Sequence, residues 1–177
     1  MQPDQAVIFR DVYVGTLRHE HTATKRCIAA VPDGKGDYTP HPTSMTASQL
    51  AWHLASSEIW FLDGVLNGQF EFGGDAPRPQ GVNSGSEMAA WYEKAFADRA
   101  AKLEAMTPEQ LAKPIHFAMF NDPAVTYLSF AIRHSAHHRG QLSAYLRPMG
   151  AKVPAIYGGS ADEPFEMPAQ ESSAAQA

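Results

Sequence analysis

Hydrophobic positions recur every three to four residues along four long stretches of the chain, the spacing that puts side chains on one face of an α-helix. The first stretch runs from about Gln5 to Val31 and is followed by PDGKGDYTPHP, where proline and glycine interrupt a helix. The third stretch shows the spacing in its apolar side chains: Met88, Trp91, Tyr92, Ala95, Phe96 and Leu103. The pattern predicts an all-α chain with four long helices.

Polar side chains indicate where the second and third long helices begin. Thr46 with Gln49, and Ser84 with Glu87, fit the capping box, in which a hydroxyl and a Glu or Gln side chain bind the free N–H groups of the first turn. Gly68 fits the left-handed residue that commonly follows a helix. We therefore predict a second helix that starts after Thr46 and ends near Gly68, and a third that starts after Ser84.

The segment before the last long helix is less regular. Thr107 followed by Pro108 predicts one short additional helical turn, since proline is favoured at the first helical position. Residues 116–123 (HFAMFNDP) are interpreted as extended. The last long helix is predicted to open at Asp122–Pro123 and to run to about Leu146.

Four amphipathic helices must each bury an apolar face, which predicts a four-helix bundle. We expect one domain over residues 1–165 and a small, polar, disordered tail over 166–177. The long proline- and glycine-rich stretch GQFEFGGDAPRPQGVNSG, residues 68–85, suggests that at least one connection crosses the bundle.

Composition and charge narrow the class of protein. The net charge is −5 and no Lys/Arg stripe is present, which disfavours nucleic-acid binding. No apolar run approaches the roughly 18 residues of a membrane span, and no secretory signal opens the chain, so a cytoplasmic protein is expected. Cys27 is the single cysteine, which excludes an internal disulfide. We interpret it as a small buried hydrophobe.

The sharpest chemical signal is RHSAHHRGQLSAYL, residues 133–146. His134 and His138 are one helical turn apart and share a face, so both imidazoles can reach one metal ion. His137 is turned about 100° from His138 and points elsewhere. Spacing alone leaves a solvated helix face with no function as an equal alternative.

Two features favour a site over a solvated face. The same face carries further polar side chains, Tyr127 on one side and Gln141 and Tyr145 on the other. In the second helix, His53 lies among apolar residues, where a histidine without a partner would be unfavourable. If that helix faces the last one, His53 completes a three-nitrogen site across the core.

Three histidine ligands leave coordination positions open, the arrangement of a catalytic rather than a structural metal site. Ser56 and Ser57 follow His53 by one turn, and small side chains there leave room for a substrate. Imidazole ligands suit several divalent metals. We expect zinc or nickel, with iron and copper also compatible.

The segments HPTSMTASQLAWHLASSEIWFLDGVL and LSFAIRHSAHHRGQLSAYLRPMGAKVPAIYGGSADEP resemble the DinB family of DinB/YfiT-like metal-dependent proteins, over residues 9–165. The most specific parts are the histidine of the second helix and H-x-x-x-H-R-G-Q in the last. The resemblance implies an up-down-down-up four-helix bundle and a homodimer. It also implies a divalent metal ion held by three histidines, here His53, His134 and His138.

The wider superfamily includes enzymes that use low-molecular-weight thiols, so the resemblance suggests a metal-dependent thiol S-transferase. Its partners would be a small thiol and an electrophilic substrate, since an open metal position lowers the pKa of a thiol. A metal-dependent hydrolase is one alternative, with His137 or Glu58 as general base. A non-catalytic metal- or ligand-binding stress-response protein is another.

Three further assignments concern the surroundings of the site. His137, Gln141 and Tyr145 are candidates to support the metal ligands, although a hydrogen-bonded surface histidine is the favoured interpretation of His137. Candidate substrate-binding residues are Ser56, Ser57, Tyr127 and Arg139. For Arg139 we favour an ion pair, with four possible carboxylate partners: Glu58, Asp63, Asp162 and Glu163. Residues 157–164 are expected to fold over the bundle end and close the pocket, with Tyr157 as anchor.

Overall fold

Helices account for most of the computed structural model, which describes residues 1–71, 73 and 76–165. The predicted tail, 166–177, lies outside the described residues. The helices are α1 (Pro3–Ala29), α2 (Ala47–Asn67), α3 (Gly85–Glu104), α4 (Pro108–Ala112) and α5 (Thr126–Leu146). Two strands, β1 (Pro114–Phe117) and β2 (Phe120–Pro123), form an antiparallel hairpin. In this part of the chain, no helix combines the length and apolar character needed to cross a bilayer.

The predicted helix starts at Thr46, Ser84 and Thr107 are confirmed. The Thr46 hydroxyl accepts the Gln49 N–H at 3.2 Å, and the Gln49 side chain accepts the Thr46 N–H at 2.8 Å. Ser84 and Thr107 each form the same reciprocal pair with the residue three positions on. Gly68 follows α2 in the left-handed conformation with φ 70°, as predicted. These contacts bind N–H groups that have no partner within the helix.

The structure is mostly helical, as predicted, and the segment interpreted as extended contributes to a small hairpin between α4 and α5. Residues 114–123 form β1 and β2, with Ile115 opposite Asp122. Asp122–Pro123 therefore belongs to a strand, and α5 begins at Thr126 rather than at Asp122. The turn contains Ala118 with φ 52°, so no glycine marks it in the sequence. The first helix is also displaced from the prediction, ending at Ala29 instead of Val31.

The long helices pack around one apolar core. α1 contacts α3 and α5, and α2 contacts the same two helices from the opposite side. α2 and α3 run in the same direction, because Trp52 packs on Trp91 near their starts and Asp63 binds Arg99 near their ends. The core is built mainly of Leu, Ala, Val, Ile, Phe and Met side chains from all of these helices.

Arg139 is a fully buried guanidinium at the centre of a polar cluster. It is 1% exposed and donates to the Glu20 carboxylate and to the Thr24 hydroxyl at 3.0 Å, both on α1. It also donates to the Tyr157 hydroxyl, which donates to Glu20 at 2.7 Å. The predicted ion pair is present, but its partner is Glu20 and none of the four carboxylates proposed from the sequence. A buried guanidinium needs such a partner because an unpaired charge there is strongly destabilising.

Glu58 on α2 is a second buried polar centre, with no exposed surface. Its two oxygens accept from the Tyr92 hydroxyl on α3 at 2.5 Å and from the Ser135 hydroxyl on α5. Burial raises the pKa of the Glu58 carboxyl to about 7, and the hydrogen bonds from Ser135 and Tyr92 oppose that rise.

Replacing Glu58 with Gln is expected to remove a pH dependence from the free energy of unfolding. The folded chain binds the Glu58 proton more tightly (pKa about 7) than the ordinary carboxyl of pKa 4.5 in the unfolded chain, so wild-type stability falls as pH rises between these values. That loss is on the order of 3 kcal/mol. Urea unfolding of both proteins at a series of pH values measures this loss. The free energy of unfolding of the wild type should decline with pH relative to that of Glu58→Gln.

The matched control is Glu109→Gln, which removes an exposed carboxylate on α4. It should leave the pH dependence of wild-type stability nearly unchanged. A constant stability difference between wild type and Glu58→Gln across this pH window would show that the Glu58 pKa is not raised by folding.

Candidate metal centre

His53, His134 and His138 converge where α2 packs against α5. The two helices run antiparallel here, since His53 lies beside His138 and Ser57 lies beside His134. One ring nitrogen from each histidine lies within 4.8 Å of the other two. The convergence predicted from helical spacing is therefore present, and all three side chains are half-buried.

The distance between ring nitrogens suits a shared metal ion. Two nitrogens, each about 2.0–2.1 Å from one tetrahedral zinc ion, lie roughly 3.3 Å apart. The Nε2 atoms of His53 and His138 are 3.2 Å apart. The three rings are tilted or edge-on to one another, with centroids 4.3–5.1 Å apart, so their nitrogens rather than their faces approach each other.

Neighbouring side chains set which nitrogen of two histidines is available to a metal. His138 Nδ1 lies 2.7 Å from Gln141 Oε1, and because an amide oxygen only accepts, Nδ1 carries the proton. Ser57 donates its hydroxyl proton to the His53 carbonyl at 2.5 Å, so its oxygen accepts from His134 Nδ1 at 3.3 Å. Both histidines then keep the Nε2 lone pair for a metal, an arrangement common around metal-binding histidines.

A cavity of about 340 Å³ opens beside His53 and His134. Its lining includes Ser56 and Ser57, the small side chains that the sequence suggested would leave room for a substrate. Most of the remaining wall is apolar, from Met45, Trp60, Phe61 and Ala76. A volume in this range with few polar groups is typical of small-molecule sites. The histidines therefore border a space that a ligand can enter.

The linker after α2 forms one wall of this cavity, and two tryptophans of α2 hold it. Trp60 Nε1 donates to the Glu71 carbonyl at 2.9 Å, and Trp52 Nε1 donates to the Ala76 carbonyl at 2.7 Å. Glu71 itself is among the residues that line the cavity. Each indole N–H thus gains a partner while fixing the backbone of the linker.

Trp60 and Phe61 were not assigned to the site from the sequence, although a signal existed. His53, Ser56, Ser57, Trp60 and Phe61 are spaced 3, 4, 7 and 8 residues from the first and form one face of α2. Met45 and Glu71 carried no such signal, because they lie outside the helix and their approach depends on how the linkers fold.

Several candidate residues lie elsewhere. Tyr127 is fully buried and donates to the Ile115 carbonyl at 2.8 Å, so it supports the hairpin rather than the cavity. Tyr145 packs edge-on against Tyr38 of the linker before α2. The face of α5 that carries the histidines therefore enters the apolar core at one end and meets a loop at the other. It does not form one polar stripe.

The remaining predictions concern His137, Arg139 and residues 157–164. His137 is exposed, with its ring against His138, and Arg139 is held in the core by Glu20. Residues 157–164 were expected to close the pocket, but they contact α1, where Glu163 binds Arg26 at 2.5 Å. The histidine cavity is instead covered by residues of the α2–α3 linker. Tyr157 does anchor its segment, to the polar cluster around Arg139.

Glu58, a candidate general base, does not line the cavity. Both of its oxygens are occupied by Tyr92 and Ser135, on the core side of α2. Cys27 is buried as predicted, and burial raises the pKa of its thiol to about 11, so the thiol stays protonated and poorly nucleophilic. Cys27 is also not among the described residues that line the cavity, so its thiol is not a candidate nucleophile there.

Comparison with known proteins agrees with the geometry. The sequence model of the DinB family matches residues 9–171. Two uncharacterized proteins of Bacillus subtilis are similar to this chain. YrdA is 24% identical over 156 residues, covering 86% of this chain and 90% of YrdA. YjoA is 29% identical over 116 residues, covering 64% of this chain and 73% of YjoA.

Two crystal structures share the fold. A DinB-like protein from Bacillus cereus matches with a TM-score of 0.69 and 25% identity, covering 82% of this chain and 95% of that one. The DinB-like protein YjoA from Bacillus subtilis matches with a TM-score of 0.67 and 24% identity, covering 81% and 96%. The helical arrangement described above is thus one that related chains adopt.

Replacing any one of His53, His134 and His138 with Ala is expected to abolish stoichiometric metal binding, because two imidazoles hold a divalent ion much more weakly than three. His137→Ala is the matched control, since it removes a neighbouring histidine from the same turn and should bind metal like the wild type. Elemental analysis after zinc loading and desalting measures the content. Equal metal content in all four variants would refute the site.

Proposed function

Because this chain belongs to the DinB family, and because three of its histidines converge beside a cavity, we propose that it is a metal-dependent enzyme that transfers a low-molecular-weight thiol to an electrophilic substrate. The observation that carries the proposal is the approach of His53, His134 and His138 at the wall of a space large enough for a small molecule.

The side chains present fit a divalent metal ion. Three imidazoles would hold it, and Gln141 and Ser57 fix the ring protons of His138 and His134 on the nitrogens that face away. Zinc or nickel suits this donor set best, and iron is compatible. When bound, the metal supplies Lewis acidity that lowers the pKa of a thiol.

In the proposed reaction the thiol loses its proton to the solvent and its sulfur forms a bond to the electrophilic carbon. The bond from that carbon to the leaving group breaks, and the leaving group departs with the electron pair. Met45, Trp60 and Phe61 exclude water from the cavity and position the electrophile beside the histidines. The protein need not supply the nucleophile, which agrees with the protonated, buried state of Cys27.

Neither general base that the sequence suggested for a hydrolase lies at the cavity, although Glu71 is among its lining residues. A hydrolase needs a general base within reach of a water molecule. Glu58 points into the core and His137 is exposed on the neighbouring face of α5. A non-catalytic binding protein would use the same histidines and cavity, and an assay of turnover separates it from an enzyme.

The proposal includes two features of the assembly. The up-down-down-up order of the four long helices is supported by the parallel contacts of α2 with α3 and the antiparallel contacts of α2 with α5. A homodimer, implied by the family resemblance, is supported by an apolar face on α1. Ile8 and Val12 are 64% and 58% exposed there, with Phe9 beside them.

Thiol transfer is expected to require the metal. Zinc- or nickel-loaded protein should accelerate the reaction of a small thiol with a chlorodinitrobenzene, followed by the absorbance of the conjugate as chloride is lost. A chelator should remove the activity and re-addition of metal should restore it, because the histidines alone do not lower the pKa of the thiol. His134→Ala should behave like the chelated protein, and His137→Ala like the wild type.

The outcome against this proposal is a set of thiols and electrophiles that react no faster with loaded protein than without it. A rate that is enhanced but insensitive to the chelator and to His134→Ala would show that the histidine site is not responsible.

A further inference from the structure

The cavity beside the histidines also carries information about the substrate. We propose that it binds the uncharged, apolar body of the electrophile, an aryl or branched alkyl group, and disfavours a carboxylate or phosphate at that position. This assignment depends on the proposed function for calling the bound molecule an electrophile. The preference of the cavity itself follows from its lining.

The cavity wall is apolar where a ligand would make most of its contact. Met45, Trp60, Phe61 and Ala76 form this part, and only two hydroxyls, those of Ser56 and Ser57, face it from α2. The Ser57 hydroxyl is already bonded to the His53 carbonyl and to His134. Burying an apolar group against such a wall is favourable by roughly 25 cal/mol per Å².

The charge of the cavity lining disfavours the binding of an anionic ligand. Apart from the histidines, the charged side chain among the described lining residues is Glu71, a carboxylate. A second carboxylate placed beside Glu71 would be repelled and would lose its hydration without gaining a cation.

The guanidinium of Arg78, in the α2–α3 linker, is already engaged. Arg78 donates to the Ser48 hydroxyl at 3.0 Å and to the Ser48 carbonyl at 2.9 Å, and its guanidinium lies over the Trp52 ring. These contacts keep it outside the cavity lining. The charge of a divalent ion would be centred on the histidine nitrogens, so it would favour an anionic atom there and not against Trp60 or Met45.

Size limits the ligand further. An apolar protein cavity of about 150 Å³ accepts one benzene ring. The cavity here is about 340 Å³, roughly twice as large. Two aromatic rings, or one ring with a short branched chain, would fill it, and the Trp60 and Phe61 rings offer aromatic surfaces for contact.

Three unreactive probes of one shape test the proposal: biphenyl-4-methanol, biphenyl-4-carboxylate and biphenyl-4-methylamine, which are neutral, anionic and cationic. Isothermal titration calorimetry with full-length protein, metal-free and zinc-loaded, gives each affinity. The alcohol is expected to bind about tenfold or more tightly than the carboxylate to the metal-free protein, and zinc should narrow this difference because the ion attracts the carboxylate. The amine should also bind more tightly than the carboxylate, because of Glu71.

Two variants assign the preference to the cavity. Glu71→Gln should tighten binding of the carboxylate several-fold and leave the alcohol nearly unchanged, whereas Glu109→Gln on the exposed face of α4 should change neither. Met45→Lys should also favour the carboxylate. Met45 is 41% exposed, so the longer charged side chain is compatible with folding.

The proposal is overturned if the carboxylate binds as tightly as the alcohol to metal-free wild-type protein, if no probe binds, or if both variants leave the ratio of the alcohol and carboxylate affinities unchanged. These results are separable from failure of the proposed function. Probe selectivity without metal binding or thiol transfer would leave this assignment standing and remove the transferase. Thiol transfer by a protein that prefers the carboxylate would support the transferase and overturn this assignment.

Discussion

The antiparallel packing of α2 against α5 is the contact on which the site depends. His53 is 81 residues from His134 in the chain, and only this packing brings their rings to a centroid distance of 5.1 Å. The buried Glu58 carboxyl secures the contact by accepting from Ser135, the residue next to His134. Because a buried carboxyl is costly without partners, this bond selects one rotation of α5 about its axis.

The same rotation gives α5 two sides with different surroundings. Ser135 and Arg139, one turn apart, point into the core, where they bind Glu58 and Glu20. His134 and His138, each one residue earlier, then face His53 of α2, and His134 also lines the cavity. The positions of the buried ion pair and of the histidine cluster are thus both set by the register of a single helix.

Local patterns predicted much of this arrangement, and long-range contacts explain what they missed. The i, i+4 spacing of the α5 histidines and the isolated His53 were sufficient to propose the site, and Thr46 and Ser84 marked their helices through hydrogen bonds within one turn. The predicted partner of Arg139 was wrong because Glu20 lies 119 residues away in sequence, and several other carboxylates fitted the sequence pattern equally well. The cavity wall was missed because linker position depends on indole bonds across the fold.

In the proposed site, α2 and α5 hold one metal ion jointly. X-ray diffraction from crystals of zinc-loaded protein, recorded on both sides of the zinc absorption edge, tests it most directly. We expect one anomalous peak per chain, about 2.0–2.1 Å from a ring nitrogen of each of His53, His134 and His138. A peak bound elsewhere, or by fewer than three of these side chains, would contradict it.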